Sequence, residues 1–244
     1  MEPIYERSFS VTAGDTDRHG RLKASRILWM LQEVAGDHST LLGTDRESLM
    51  RKNLFWAVIR HRVQITRLPG KNEKITVQTW PMPTTRTAYP RSTVAYDEQG
   101  NEVFRSISIW VLMDVNTRNM ILPGKSGIAV AGTLRGMELA APGSLVPKEL
   151  HSCRQRTVGF TDLDRNCHMN NTKYMDWIDD LLPSAFHQGH EVKEFTVCYL
   201  SETREGQVLD LHWDFLEEGI LQVDAYRNAG EKDERVFSAR LIFG

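Results

Sequence analysis

The stretch Asp162-Leu-Asp-Arg-Asn-Cys-His-Met-Asn-Asn171 gathers carboxylates, amides and one imidazole in a single polar segment. A helix-like run, Thr172 to Leu182, follows it directly. The first turn of a helix leaves backbone N–H groups without intrahelical partners, and these can stabilise a developing oxyanion. The loop supplies acid, base and orienting groups, so the arrangement suits acyl-transfer chemistry. Capping and turn formation explain Asp and Asn in such a place. They do not explain His168 between Asn166 and Asn170.

The chain carries this segment twice. Val11 to Gln32 aligns without a gap on Val158 to Asp179, at an offset of 147 residues. Val11, Asp15, Asp17 and Arg18 recur as Val158, Asp162, Asp164 and Arg165. An apolar helical pattern follows both copies, which points to duplication. The copies differ where chemistry would sit: His19, Arg21 and Lys23 stand at the positions of Asn166, His168 and Asn170. One half is chemically equipped and the other degenerate.

Around these segments the chain reads as helix, then strands, in each half. Ile27, Leu31, Val34, Ala35, His38, Leu41 and Leu42 fall on one helical stripe, which predicts a helix from about Ser25, as N-cap, to Leu42, with Gly43 as its stop. Strands are expected at Phe55–Thr66, Lys74–Trp80, Arg91–Tyr96 and Glu102–Met113, the last two flanking the turn Asp97–Asn101. Repeated Gly and Pro mark 114–152 as a connector. In the second half a helix over roughly Asn171–Ala185 should precede strands at Lys193–Glu202, Gln207–Leu216, Leu221–Arg227 and Arg235–Phe243, with a turn at 228–230. At Gln207–Leu216 the alternation of Leu209, Leu211, Trp213 and Phe215 with polar residues predicts one buried face. Each sheet needs a cover, and the single helix of each half is available.

Composition narrows the setting. A net charge of −2 gives no global argument for nucleic acid, and no apolar run approaches a membrane span. Met1-Glu-Pro-Ile-Tyr5 does not read as a signal or transit peptide, and the motif begins too near it to leave room for a preceding domain. Cys153, Cys167 and Cys198 are odd in number and lack a CxxC spacing, which fits reduced thiols in a cytoplasm and no structural metal.

A helix wrapped by an antiparallel sheet, occurring twice in one chain, resembles the double hotdog. Asp162 to Tyr174 is similar to the signature of the acyl-ACP thioesterase family, in which Asp, Asn and His alternate before a double Asn. Trp110-Val-Leu-Met113 with Asn116-Thr-Arg118, Cys198-Tyr199 with Glu202, and Leu31-Gln-Glu33 with Ala35 and His38 resemble further segments of that family. The resemblance implies an α+β tandem hotdog: residues 1–130 as an acyl-binding half with a degenerate site, 131–149 as linker and 150–244 as the catalytic half. It places Asp164, Asn166, His168 and Glu202 on catalytic positions, with Thr203 where plant members have Cys. No thiolate mechanism is therefore available at that position.

On this reading Glu202 activates water or attacks directly, and His168 donates to the carbonyl or polarises the water. Asn166 orients, and Asp164 fixes Asn166 and His168. Asn170 and Asn171 cap the helix and leave its N–H groups facing the thioester oxygen, while Ile27, Leu31 and Val34 line a slot for the acyl chain. Cys167 and Cys198 are expected to be small buried hydrophobes. No cofactor is implied. The implied partner is an acidic acyl carrier protein, met by Arg60, His61, Arg62, Arg67, Lys71 and Lys74; nucleic acid and membrane are not expected, and a homodimer is compatible with the reading. The same residues leave open an acyl-CoA thioesterase or a non-catalytic acyl-binding module, and favour a dehydratase less.

Overall fold

Antiparallel strands make up most of the regular structure. The computed structural model describes residues 3–228 and 233–244, so the expected turn at 228–230 lies, past Asn228, outside the described residues. The chain divides into two units. The first runs to Pro142, except that the helix start Ala24–Leu28 groups with the second, which otherwise spans Gly143–Gly244.

In the first unit the elements are β1 (Tyr5–Ser10), α1 (Ala24–Leu41), α2 (Arg46–Met50), β2 (Leu54–Ile65), β3 (Lys74–Pro81), β4 (Tyr89–Asp97), β5 (Glu102–Asp114), β6 (Met120–Ile121) and α3 (Pro123–Ser126). Strands β1-β3-β4-β5-β2 lie in that order, with β6 on β5. Helix α1 starts one residue before its expected cap. Lys23 is the N-cap, and Ser25 sits buried in the first turn. Gly43, at φ +67°, ends it as expected, because the left-handed backbone there favours glycine. The helix is fixed to β1 by Tyr5 Oη donating to Asp37 at 2.9 Å and by Arg7 pairing with Glu33 and Asp37.

In the second unit the elements are β7 (Ser152–Thr157), α4 (Lys173–Asp179), α5 (Ser184–Gly189), β8 (Val192–Tyr199), β9 (Val208–Glu217), β10 (Ile220–Asn228) and β11 (Asp233–Phe243), with sheet order β8-β11-β10-β9-β7. The helix expected over 171–185 is broken in two. Pro183 disfavours helical backbone at Leu182 and offers no N–H, so α4 stops after seven residues and α5 restarts beyond Pro183. Strand β8 ends at Tyr199, where Leu200 and Ser201 both donate to the Val236 carbonyl, so Glu202 stands beyond the strand. Phe215, expected on the buried face of β9, is 42% exposed. Strands β1 and β7 carry no clean alternation of apolar residues and were not expected; β7 falls at the end of the presumed connector. Among the described residues no helix is long and apolar enough to cross a membrane.

The connector after α3 holds no further helix or strand before β7, yet it is pinned by hydrogen bonds. Against the first unit, Thr133 N donates to the Pro81 carbonyl, Trp80 Nε1 to Glu138, Arg105 to the Met137 carbonyl and Arg60 to the Pro142 carbonyl. Against the second, Arg235 and Gln222 donate to the carbonyls of Leu145 and Val146, each at 3.0 Å. Gly132 is the tightest point: a Cβ there would lie 2.3 Å from the backbone of Met82 and Pro83. Gly132→Ala is therefore expected to force backbone apart and cost about 1–3 kcal/mol, the usual range for overpacking. Urea denaturation checks this, and an unchanged midpoint would show that the connector is not held so closely.

Candidate active site

Residues 162–170 form a small hairpin. Leu163 bridges Met169, Asp164 N donates to the His168 carbonyl at 2.8 Å, and Asn170 N donates to the Asp162 carbonyl at 2.7 Å. The Asp164 carboxylate fills its mouth. Its Oδ1 accepts the N–H groups of Asn166 (2.7 Å) and His168 (3.2 Å), and its Oδ2 accepts the Asn166 side-chain amide at 3.3 Å. Asp164 thus orients Asn166 through its side chain and His168 through its backbone.

The first-unit copy has the same frame. Thr16 bridges Leu22, Asp17 N donates to the Arg21 carbonyl, and Asp17 Oδ1 accepts the N–H groups of His19 and Arg21. The duplication read from four identities therefore extends to individual hydrogen bonds. The side chains diverge on this common frame. Arg21, at the position of His168, turns back to ion-pair with Asp17 at 3.0 Å. This pair and the backbone N–H groups hold the Asp17 carboxyl below its usual range despite burial, which acts in the opposite direction. At the tip, Cys167 takes φ +60° where the first copy has Gly20 at φ +79°.

A main-chain bond joins the hairpin to the segment after β8: Met169 N donates to the Thr203 carbonyl at 2.8 Å. The residues beside these two then meet. His168 Nε2 lies 3.2 Å from Glu202 Oε2, with the imidazole largely covered and the carboxylate 40% exposed. A largely covered imidazole against a solvent-facing carboxylate can polarise and deprotonate a water held at that carboxylate. Asn170 Oδ1 accepts both the N–H and the hydroxyl of Thr172, so it shapes the entry to α4, while Asn171 contributes its carbonyl to the Tyr199 hydroxyl. Thr172 already has helical φ −69° and ψ −29°, so the bond from its N–H to Asn170 Oδ1 caps the entry to α4 as expected of Asn170.

Two residues that support the site escaped sequence reasoning. Thr203, 1% exposed, turns its hydroxyl inward to Tyr174 Oη at 2.7 Å. Tyr174 stacks on Phe237 with ring centroids 4.3 Å apart, and burial pushes its phenol up to about 12, so it stays neutral. A core-facing Thr next to an exposed Glu has no periodic signature, and the only signal was Tyr174 after the double Asn.

Other expectations are corrected. Cys198 is buried as expected, but Cys167 is exposed. His61, assigned to a carrier-binding patch, is 0% exposed, bonded to Ser108 at 2.8 Å and lowered to about 3 by burial. Arg67 is engaged with Glu73 and Asp97. Ile27, Leu31 and Val34 are all buried. Among the described residues no group of three or more His, Cys, Asp and Glu side chains is placed to hold a metal ion.

With this geometry in view, comparison with known proteins is decisive. Residues 2–122 match the acyl-ACP thioesterase N-terminal domain and residues 147–241 the acyl-ACP thioesterase C-terminal domain. The chain belongs to the acyl-ACP thioesterase family. It is 26% identical over 224 residues to a chloroplastic palmitoyl-acyl carrier protein thioesterase of Gossypium hirsutum, covering 84% of this chain and 54% of that one. A dodecanoyl-[acyl-carrier-protein] hydrolase of Cinnamomum camphora is 24% identical, with 58% of its length covered. The chain thus spans little more than half the length of these plant relatives. Across solved structures, an acyl-ACP thioesterase from Bacteroides thetaiotaomicron superposes with TM-score 0.87 at 25% identity, covering 99% of this chain and 98% of that one. The 12:0-ACP thioesterase from Umbellularia californica shares the fold at TM-score 0.83 and 20% identity, covering 100% and 98%. The architecture is the α+β, hotdog-like thioesterase fold.

The Thr203 contact yields a prediction. In Thr203→Ala the buried Tyr174 hydroxyl loses its partner, which should cost about 1–3 kcal/mol, while Thr203→Ser should retain most of the stability. Turnover by the folded fraction should change little, because the Thr203 carbonyl remains. Thermal melting of both variants checks this, and equal stability of Thr203→Ala and wild type would contradict it.

Proposed function

We propose that this chain hydrolyses the thioester of fatty acyl-[acyl carrier protein] and releases the free fatty acid. The observation that carries the reading is the 3.2 Å contact of His168 with Glu202 in a member of this family. Glu202 acts as general base. It takes a proton from a water molecule whose oxygen attacks the thioester carbonyl. The tetrahedral intermediate collapses by breaking the C–S bond, and the departing thiolate takes back that proton. His168 holds Glu202 and shares the charge that develops on it. Asn166, tethered by Asp164, orients the water. Asn170 and Asn171 bound the substrate's approach at the entry to α4. Direct attack by Glu202, giving an anhydride, is the competing route.

The two halves divide the work: residues 1–130 hold the acyl chain beneath α1, and 150–244 perform the chemistry, joined by 131–149. Arg21 locked on Asp17 supports this division, since that side chain is spent on its own loop. The acidic carrier meets cations, of which Lys71 and Lys74 remain exposed. A cytoplasmic setting suits the three cysteines, none of which is in a disulfide.

The test is hydrolysis of a panel of acyl-ACPs and matching acyl-CoAs by the purified chain. The carrier-bound substrates should be cleaved with the higher kcat/KM. His168→Ala and Glu202→Ala should each lower kcat by about 10²–10⁴-fold, the range of general acid–base catalysis, and His19→Ala should not. Full turnover in the first two variants, or its loss in His19→Ala, would contradict the assignment.

A further inference from the structure

The two sheets present different surfaces to their helices: one is apolar, the other carries a polar row. In the second unit the face on which Tyr174 stacks is apolar throughout: Phe237, Ala239, Val223, Ala225, Leu211 and Val197 are all 0% exposed. Its polar residues, Gln222, Asp224 and Ser238, lie on the other face, where Gln222 holds the connector.

In the first unit the corresponding side is mixed: Phe104, Ala95, Val77 and Val63 are apolar and 0% exposed, and a row of polar residues runs beside them. Ile107, Ile109 and Val111 of β5 pack against Leu139 of the connector. The alternate residues Ser106 and Ser108 lie on the face that meets α1. There they join Thr93, Arg91, Thr79 and His61, every one of them buried. Arg91 Nη1 donates to His38 Nδ1 of α1 at 3.1 Å and to Thr79 Oγ1 at 3.2 Å, and no carboxylate partners it among the described residues. Thr93 donates to Thr79, and Ser108 meets His61. Ser106 Oγ and Trp110 Nε1 are buried without a hydrogen-bond partner among the described residues. They sit four residues apart on one face of one strand, with an apolar cluster of Leu49, Leu54, Tyr89 and Leu112 beside Trp110.

The sheet face beneath Tyr174 in the second unit shows that a surface packed on a helix can be apolar throughout. Burying a hydroxyl and an indole N–H unpaired costs stability, and a saturated acyl chain laid against them would leave that cost in place. The row is rich in donors: an indole N–H, a guanidinium and hydroxyls. A ligand that satisfies it must bring an acceptor oxygen on an otherwise apolar body. Accordingly we infer that the interior of the first unit, between α1 and β5, is a subsite for acyl chains that carry an oxygen function, a hydroxyl or a ketone, along the chain. Ser106 and Trp110, about 13 Å apart along the strand at about 3.3 Å per residue, each offer a hydrogen bond to an oxygen at a different position of the chain, and the Leu49 cluster beside Trp110 takes the apolar part. This rests on the thioesterase reading for its substrate, though the subsite can be measured without turnover.

The test has a binding arm and a kinetic arm. Dodecanoic acid and chain-matched hydroxy- and oxo-dodecanoic acids, with the oxygen at successive positions, are titrated by calorimetry. The corresponding acyl-ACPs are then compared as substrates. At least one oxygenated acid should bind about tenfold tighter than the saturated acid, as one or two satisfied hydrogen bonds allow. Hydroxyl and ketone arms separate an accepting-only ligand from one that also donates. For the oxygenated acyl-ACP that is preferred, the ratio of its kcat/KM to that of the saturated one should fall about tenfold in Ser106→Ala or in Trp110→Phe, which keeps the ring and loses the N–H, according to which group its oxygen reaches. The binding arm decides if a variant fails to fold. Saturated acid binding as tightly as every oxygenated one, or ratios unmoved by both variants, would overturn the inference and leave the two groups to water. Discrimination among the free acids with no turnover of any acyl-ACP would support the subsite while refuting the thioesterase reading.

Discussion

The hydrogen bond from Met169 N–H to the Thr203 carbonyl carries the site. His168 belongs to a loop before α4, and Glu202 to the segment after β8. Nothing in their sequence neighbourhoods brings them together. Once Met169 and Thr203 are joined through the main chain, each preceding residue is placed beside the other, and the imidazole and carboxylate meet at 3.2 Å. The bond in turn depends on both segments being rigid. The hairpin is closed by the Leu163–Met169 bridge and by Asp164, and Thr203 is anchored inward on Tyr174. A site built from backbone geometry in this way is pre-organised, which is what stabilisation of a developing charge requires.

The duplicated hairpin separates frame from chemistry. Asp17 and Asp164 make the same backbone bonds, so each copy spends one carboxylate on holding its own loop. What differs is the side chain carried at the arm. His168 reaches across to Glu202, while Arg21 folds back onto Asp17. The left-handed residue at the tip costs nothing as Gly20 but about 1–2 kcal/mol as Cys167. The second copy is therefore the more strained one, and its surroundings must hold it in place.

Much of this was legible before any coordinates. Spaced Asp, Asn and His residues and their repetition located both hairpins, because a loop that needs a carboxylate to satisfy its own N–H groups must keep that residue. Apolar periodicity located α1 and most strands, because it reports burial. It could not report which buried face meets which partner. Glu202 was read onto a strand that ends at Tyr199, since Leu200 and Ser201 continue the pattern while their N–H groups both turn to Val236. The long second helix was an overreach past Pro183. His61 was taken for surface because histidine is usually wet, yet it lies in the polar row beneath α1. That row breaks the local rule that interiors are apolar, and such departures are expected where a protein binds something.

The account claims that His168 and Glu202 act as one unit. A double-mutant cycle tests that claim most directly: single-turnover hydrolysis of one acyl-ACP by wild type, His168→Ala, Glu202→Ala and the double variant, each checked for folding by circular dichroism. Groups that act as a unit are strongly non-additive. The account predicts that the double variant is scarcely slower than the worse single one. Losses that multiply, so that the double variant falls by the product of the two single effects, would contradict it.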